Sequence, residues 1–370
     1  MSEYQHYEFR SIDKALSEEE REIVSSWSSR TRATSTGATF TYHYSDFPKN
    51  ARQVVERYFD AMFYLSNWGS YRLMFKVPKG LFTLKSIRQY CSESLEIYES
   101  ADFIIIDICV NEEDGECWAE GDGMLSSLIS LREDIIAGDF RSLYLIWLKE
   151  STEDVINEYD NVDENSDEPD VPAGLAELNG ALTEFANVFN VDQDAISAAA
   201  MASMPLKPID VVDYSTLIEK LNDKEKTEWL VRLINNESNL AQKFKRTFSK
   251  HKLTKDAVMQ KRSVSDIVEI MMRKREEREV IEKQLREEKR LAKLQKVERK
   301  QDSLWEDVDH LISLKKSNAY DQAVKNLELL KELAVHKNTL SDFTKKVTAI
   351  KHQNSNLRAL QSRIDYAKLC

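Results

Sequence analysis

The segment Ala101–Gly123 reads ADFIIIDICVNEEDGECWAEGDG, and its reading decides how the N-terminal part of the chain folds. Phe103, Ile105 and Asp107 fall on one face of a strand, while Ile104, Ile106, Ile108 and Val110 fall on the other. NEEDG supplies a turn in which Asp114-Gly115 can take positive φ. ECWAEGD then returns as the partner strand, with Trp118, Glu120 and Asp122 on one face. An antiparallel hairpin of this kind makes the surrounding domain α+β rather than a parallel βαβ array. Asp107, Glu120 and Asp122 can converge on one side of that hairpin, with Lys149 nearby. Such carboxylates can hold Mg²⁺ and position a water for phosphodiester hydrolysis. An acidic hairpin that only keeps its ribbon solvated presents the same residues, and this second reading is preferred.

Outward from the hairpin, strands are expected at residues 3–11, in ATFTYHY and in YRLMFKV, which closes at Pro78 and Gly80. Ser17 followed by Glu20 is a capping box that opens a helix over 18–28. From Asn50, apolar residues at Val54, Val55, Tyr58, Phe59, Met62, Phe63 and Leu65 recur at helical spacing up to Gly69. Helices over 125–137 and 140–150 complete an α+β domain at 1–150, with a mixed or antiparallel sheet. Residues 151–172 hold nine Asp and Glu with no Lys or Arg, which reads as a solvated acidic linker.

The pattern beyond is all-α. A helical domain is expected at 173–262, a long charged helix at 263–301, and a C-terminal bundle or hairpin at 302–370. The long helix contains no Gly or Pro and carries favourable i,i+4 pairs such as Glu279–Lys283 and Glu282–Arg286. Its apolar seam is interrupted between Arg273 and Glu279, so a solvent-exposed arm is expected in preference to a coiled coil. In the tail, two antiparallel helices joined by KKSNAYD look like one tetratricopeptide-type hairpin, without the further repeats that a solenoid needs.

Composition narrows the function classes. The 370 residues carry 52 Lys and Arg against 64 Asp and Glu, a formal charge of -12. Residues 241–370 hold 31 basic and 19 acidic residues, which leaves 21 and 45 for residues 1–240. This asymmetry points to a tail that binds a polyanion, or to two regions that attract each other. No apolar run approaches the roughly 20 residues that span a bilayer, and the first residues lack signal-peptide order. Cys91, Cys109, Cys117 and Cys370 form no CxxC pair, and the His residues are scattered. A cytoplasmic protein with no membrane, metal or cofactor is therefore expected.

YFDAMFYLSNWGSYRLMFKVP, SSRTRATST, DFRSLYLIWL and YDQAVKNLELLKELA together resemble a bacterial group of uncharacterised cytosolic proteins. The tail is similar to the C-terminal helical region of some SWIM zinc-finger proteins, although the zinc-binding motif itself is absent. The resemblance implies a bacterial, cytosolic protein and supplies no catalytic residues.

Three further features bear on function. Arg30 and Arg32, among hydroxyls in SSRTRATST, can grip a phosphate but lack P-loop spacing. Arg273, Lys274, Arg275, Arg278, Arg286, Lys289 and Arg290 on the long helix can follow a nucleic-acid backbone or a protein partner. Interleaved Glu residues and the lack of aromatics for base stacking favour a self-compensated helix. Tyr64, Trp68 and Tyr71 fit a core better than a pocket. Nucleophilic triads, dinucleotide fingerprints and P-loops are missing. The preferred reading is a non-enzymatic interaction or adaptor protein, binding a protein partner through its helical half. A metal-dependent hydrolase or nuclease, nucleic-acid binding by the arm, and a homo-oligomer through the long helix are the alternatives.

Overall fold

The structure, a computed structural model, describes residues 3–112, 121–157, 166–206, 214–219, 221–235, 240, 244 and 262–369. The chain divides into two units, Met1–Arg275 and Glu276–Cys370. The first is α+β and the second is helical, as the sequence pattern requires.

The first unit is built on six strands: β1 (Gln5–Arg10), β2 (Gly37–Tyr42), β3 (Ala61–Ser66), β4 (Ser70–Pro78), β5 (Leu95–Glu99) and β6 (Phe103–Asn111). They are ordered β2-β1-β3-β4-β6-β5, and every pair is antiparallel. Successive side chains alternate between two buried faces. One face carries Phe63, Leu65, Leu73, Phe75, Ile104, Ile106 and Ile108, and the other carries Phe9, Phe40, Met62 and Met74.

Helices α1 (Glu18–Ser25) and α2 (Ala51–Tyr58) cover the second face through Val24, Val54 and Val55. The Ser17–Glu20 capping box starts α1 as expected. After α3 (Leu84–Arg88), the first face is covered by α4 (Met124–Leu128), α5 (Ser130–Ala137), α6 (Arg141–Ile156), α7 (Gly180–Val188) and α8 (Gln193–Ala200).

Three expectations need correction. The helical spacing over Asn50–Leu65 covers two elements: α2 ends at Tyr58, with Phe59 as its extended C-cap, and Ala61–Ser66 is strand β3. Ala61, Phe63 and Leu65 are buried on one side of β3 and Met62 on the other. A strand buried on both faces loses its polar alternation and reads like a helix. Second, the hairpin at the opening segment is β5–β6, joined across Ser100–Asp102, with β4 on the other side of β6. Residues 113–120 lie outside the described set, and Asp122 sits in a turn before α4 instead of a returning strand.

Third, residues 173–206 are no separate domain. Leu175, Leu182, Phe185, Phe189, Ala195 and Ala198 share one core with the sheet. The acidic stretch 151–172, of which residues 158–165 lie outside the described set, is not a linker at its two ends. Its first residues extend α6, and Glu168 is buried, accepting from the Tyr144 hydroxyl at 2.5 Å and from Nε and Nη2 of Arg262 at 2.8 and 2.7 Å. Backbone bonds Glu168 N to Arg262 O and Val264 N to Ser166 O add to this clasp.

Beyond α9 (Tyr214–Glu219) and α10 (Asp223–Ile234), the clasp places the start of α11 (Val264–Arg299). Ser263 and Asp266 cap that helix reciprocally: the Asp266 carboxylate accepts from Ser263 N–H, and the Ser263 hydroxyl accepts from Asp266 N–H. Val264, Ile267 and Met271 enter the first unit's core.

In the second unit, α12 (Gln301–Ser313) and α13 (Ser317–His336) form the expected hairpin, joined by α14 (Leu340–Gln353) and α15 (Arg358–Tyr366). Val308, Leu327, Leu330, Val347, Leu360 and Ile364 make its core, and Leu294 and Val297 of α11 pack on Leu333. Arg363–Asp321, Lys351–Asp365 and Lys337–Glu298 pair across its helices. No described helix is long and apolar enough to cross a membrane.

One buried charge network ties the first unit's outer loop to its sheet. Arg132 of α5 is fully buried, donating to Lys76 O at 2.8 Å and to both Asp13 oxygens at 3.0 and 2.6 Å. Lys76 pairs with Asp60 at 3.1 Å, and Asp60 accepts from Ile12 and Asp13 N–H at 2.7 and 2.9 Å. Removing one partner of such a network strands the other charges away from water. Arg132→Met is therefore expected to destabilise the fold by about 3 kcal/mol or more in urea unfolding. A loss under about 1 kcal/mol would show that the network carries little stability.

Candidate functional site

The carboxylates singled out in the sequence do not assemble. Asp107 lies on the sheet face that carries α1 and α2, opposite Met74 of β4 and Glu96 of β5. Arg72 of β4 reaches it diagonally, with Nε to Oδ1 at 2.8 Å and Nη2 to Oδ2 at 2.7 Å. Asp107 is buried, and the Arg72 side chain is one-third exposed. Such a fork satisfies both carboxylate oxygens and sets a permanent cation where a divalent ion would have to bind. Asp107 also raises the Arg72 pKa, chiefly through these hydrogen bonds.

Cys109, Glu96 and Tyr98 share this face, and the Arg52 guanidinium of α2 lies 3.7 Å from the Tyr98 ring centroid. Burial pushes the Cys109 thiol up and Arg72 opposes it, so the thiolate required of a nucleophile is disfavoured. The arrangement is a half-open polar sheet face closed by its own ion pair.

Asp122 stands on the other face. Its exposed carboxylate lies 3.6 Å from Nε2 of His6, whose side chain is buried in β1. Nε2 has no hydrogen-bond partner, and Nδ1 lies 3.2 Å from the Thr41 hydroxyl. Gly121 packs flat on this imidazole, and any Cβ there would collide with the ring. Glu8, two residues along the same strand, is also buried and accepts from Arg10 at 2.7 Å and Leu125 N–H at 3.2 Å.

Asp107 and Asp122 are therefore separated by the sheet, and Glu120 lies outside the described residues. Lys149 of α6 does not join Asp107 either. It is buried between Glu112 at 3.3 Å and Glu153 at 2.5 Å. Among the described residues no group of three His, Cys, Asp or Glu is placed to hold a metal ion.

The remaining features separate in the same way. Arg30 and Arg32 are exposed in the loop between α1 and β2. Tyr64 packs on Tyr7 with ring centroids 4.5 Å apart, Tyr71 packs on the opposite core, and Trp68 sits 45% exposed in the β3–β4 turn. On α11, Arg275 bonds Asp192 at 2.5 Å and lies 3.7 Å from Asp194, at the start of α8. Arg278 and Arg286 pair with Glu282, and Arg290 pairs with Glu287. Arg273 and Lys289 are exposed and Lys274 is half-buried. The basic residues of this helix thus work largely against its own carboxylates and those of α8. Comparison of the chain with protein-family models, curated proteins and solved structures finds no match in any of the three.

Sequence reasoning missed the partners that matter: Arg72, His6, Arg132 and the Glu168–Arg262 pair. Arg72 carried a faint signal as a charge within the apolar strand YRLMFKV, and long-range pairing hid the others.

His6 yields a pH prediction. Burial lowers its pKa below the usual value of 6.5, with Asp122 and Glu8 pulling the other way. Above that value the imidazole is neutral in both folded and unfolded chains. Below it, the unfolded chain takes up a proton that the folded chain refuses, so stability is lost as pH falls from 6.5 toward the folded value. The melting midpoint is expected to fall more steeply between about pH 7 and pH 5 in the natural chain than in His6→Gln. Equal slopes would contradict this.

Proposed function

We propose that the protein is a non-enzymatic, cytoplasmic interaction protein of bacterial type, which binds another protein or a larger assembly through its helical C-terminal half. The observation that carries the reading is apolar surface where a monomer has no use for it. Helix α10 has no buried residue, yet Leu230, Val231, Leu233 and Ile234 are 58, 49, 60 and 76% exposed. Its side chains otherwise belong to an ordinary amphipathic helix, opened by an Asn222–Glu225 capping box. Trp229 stands beside this surface, with the Arg232 guanidinium 4.3 Å from its ring centroid. Single exposed apolar residues are common on soluble proteins, whereas neighbouring ones on one short helix mark a surface that a partner covers. An aromatic residue with a stacked Arg is the usual composition of an interface centre. The charges named as site residues in the sequence favour the same reading, since Asp107 and, on the long helix, Arg275, Arg278, Arg286 and Arg290 are engaged in ion pairs.

The test compares affinity capture by the full chain and by a Leu230→Glu/Leu233→Glu double variant, with circular dichroism confirming that both are folded. A partner enriched by the natural chain and lost from the variant is expected. Capture that the variant leaves unchanged contradicts the reading. So does a divalent-metal-dependent phosphodiesterase activity of the pure chain that Asp107→Asn abolishes.

A further inference from the structure

Residues 279–290 of α11 form more than three helical turns in which every side chain is exposed. Val280, Ile281 and Leu285 lie in this stretch, 55, 63 and 48% exposed. Arg278, Ile281, Leu285 and Glu288 follow one another at spacings of three, four and three, which is the a/d seam of a two-stranded coiled coil. The outer positions of the seam are charged, and they discriminate between partners and directions.

We propose that this stretch pairs with the same stretch of a second copy, antiparallel, about a twofold axis level with Lys283. In that arrangement Ile281 of each chain meets Leu285 of the other, giving two apolar layers. Arg278 of each chain meets Glu288 of the other, giving two ion-pair layers outside them. A parallel pair would set Arg278 against Arg278 and Glu288 against Glu288, which is repulsive in both layers.

The flanks agree. Between Glu276 and Glu282, four Glu stand with one Arg; between Gln284 and Arg290, Arg286, Lys289 and Arg290 stand with two Glu. Antiparallel pairing lays the acidic half of each helix along the basic half of the other. The pairs that Arg278 and Arg286 make with Glu282 are exposed and exchange readily for contacts to a neighbour. Two apolar layers make a small interface, so association in the micromolar to millimolar range is expected. The proposal uses none of the α10 residues, and it stands or falls apart from partner binding.

Sedimentation equilibrium of the full chain from about 1 µM to about 1 mM tests it. The mass is expected to rise from monomer toward dimer. Ile281→Glu should abolish the rise. Arg278→Glu should weaken association about tenfold by facing two Glu across the seam, and Arg278→Glu/Glu288→Arg should restore it by exchanging the pair. All these side chains are at least partly exposed, and the exchanged double variant controls for folding. A chain that stays monomeric overturns the proposal and leaves the face to a different protein. A dimer indifferent to Ile281→Glu overturns it, as does one that the double variant fails to restore. Association of Arg278→Glu as strong as that of the natural chain, expected of a parallel pair in which one like-charge layer merely replaces another, also overturns it.

Discussion

A charge taken out of water must meet an opposite charge or a set of hydrogen bonds, and this constraint organises the N-terminal unit. Its sheet is covered on both faces, so charged side chains on the strands and their flanking helices have little solvent to turn to. Glu8, Asp60, Lys76, Asp107, Arg132, Arg141, Lys149, Glu168 and Asp194 are all buried. Each has a partner of opposite charge: Arg10, Lys76, Asp60, Arg72, Asp13, Asp139, Glu112, Arg262 and Arg275 respectively. Apart from Glu8–Arg10 and Asp139–Arg141, the pairs join segments well separated in sequence, so they fix how loops and helices close on the sheet. The Glu168–Arg262 pair spans 94 residues and sets the first turn of the long helix against the core.

The same constraint governs the functional reading. A carboxylate that serves a metal or a reacting group keeps lone pairs open toward the substrate. Asp107 turns both oxygens to Arg72, and Asp122 lies beyond the sheet next to His6. Among the described residues of this acidic segment, Asp107 and Glu112 neutralise Arg72 and Lys149 within the fold. Among the described residues, α10 and residues 279–290 are helical stretches that meet water with Leu, Ile and Val side chains. Association is what such surfaces supply.

Much of the architecture was legible in the sequence, for identifiable reasons. β1, β2 and β4 announced themselves by aromatic and β-branched content, α1 by its capping box, and α11 by an unbroken run without Gly or Pro. β3 was read as helix because Met62 and Phe63 are buried on opposite faces, which erases the period of two. β5 went unseen because LEIYE is a short edge strand. The hairpin was assigned to the wrong neighbour, since local turn chemistry at NEEDG is visible in sequence, whereas pairing of β6 with β4, from Ser70↔Asn111 to Pro78↔Phe103, is not. The sequence offers Asp107 as a carboxylate that can converge with Glu120 and Asp122, or one that keeps its ribbon solvated, whereas the structure buries it against Arg72. Its role was misread because its partner sits on another strand, and one sequence carries no record of diagonal contacts.

The account rests on Asp107 being held by Arg72 and not by a ligand, and a double-mutant cycle addresses that directly. Unfolding free energies would be measured for the natural chain, Asp107→Asn, Arg72→Met and the double variant. The structure predicts a favourable coupling energy of about 1 kcal/mol or more, with Asp107→Asn less stable than the natural chain. A coupling near zero, together with an Asp107→Asn variant that melts at the same temperature or higher, would contradict it and return this carboxylate to the candidates for chemistry.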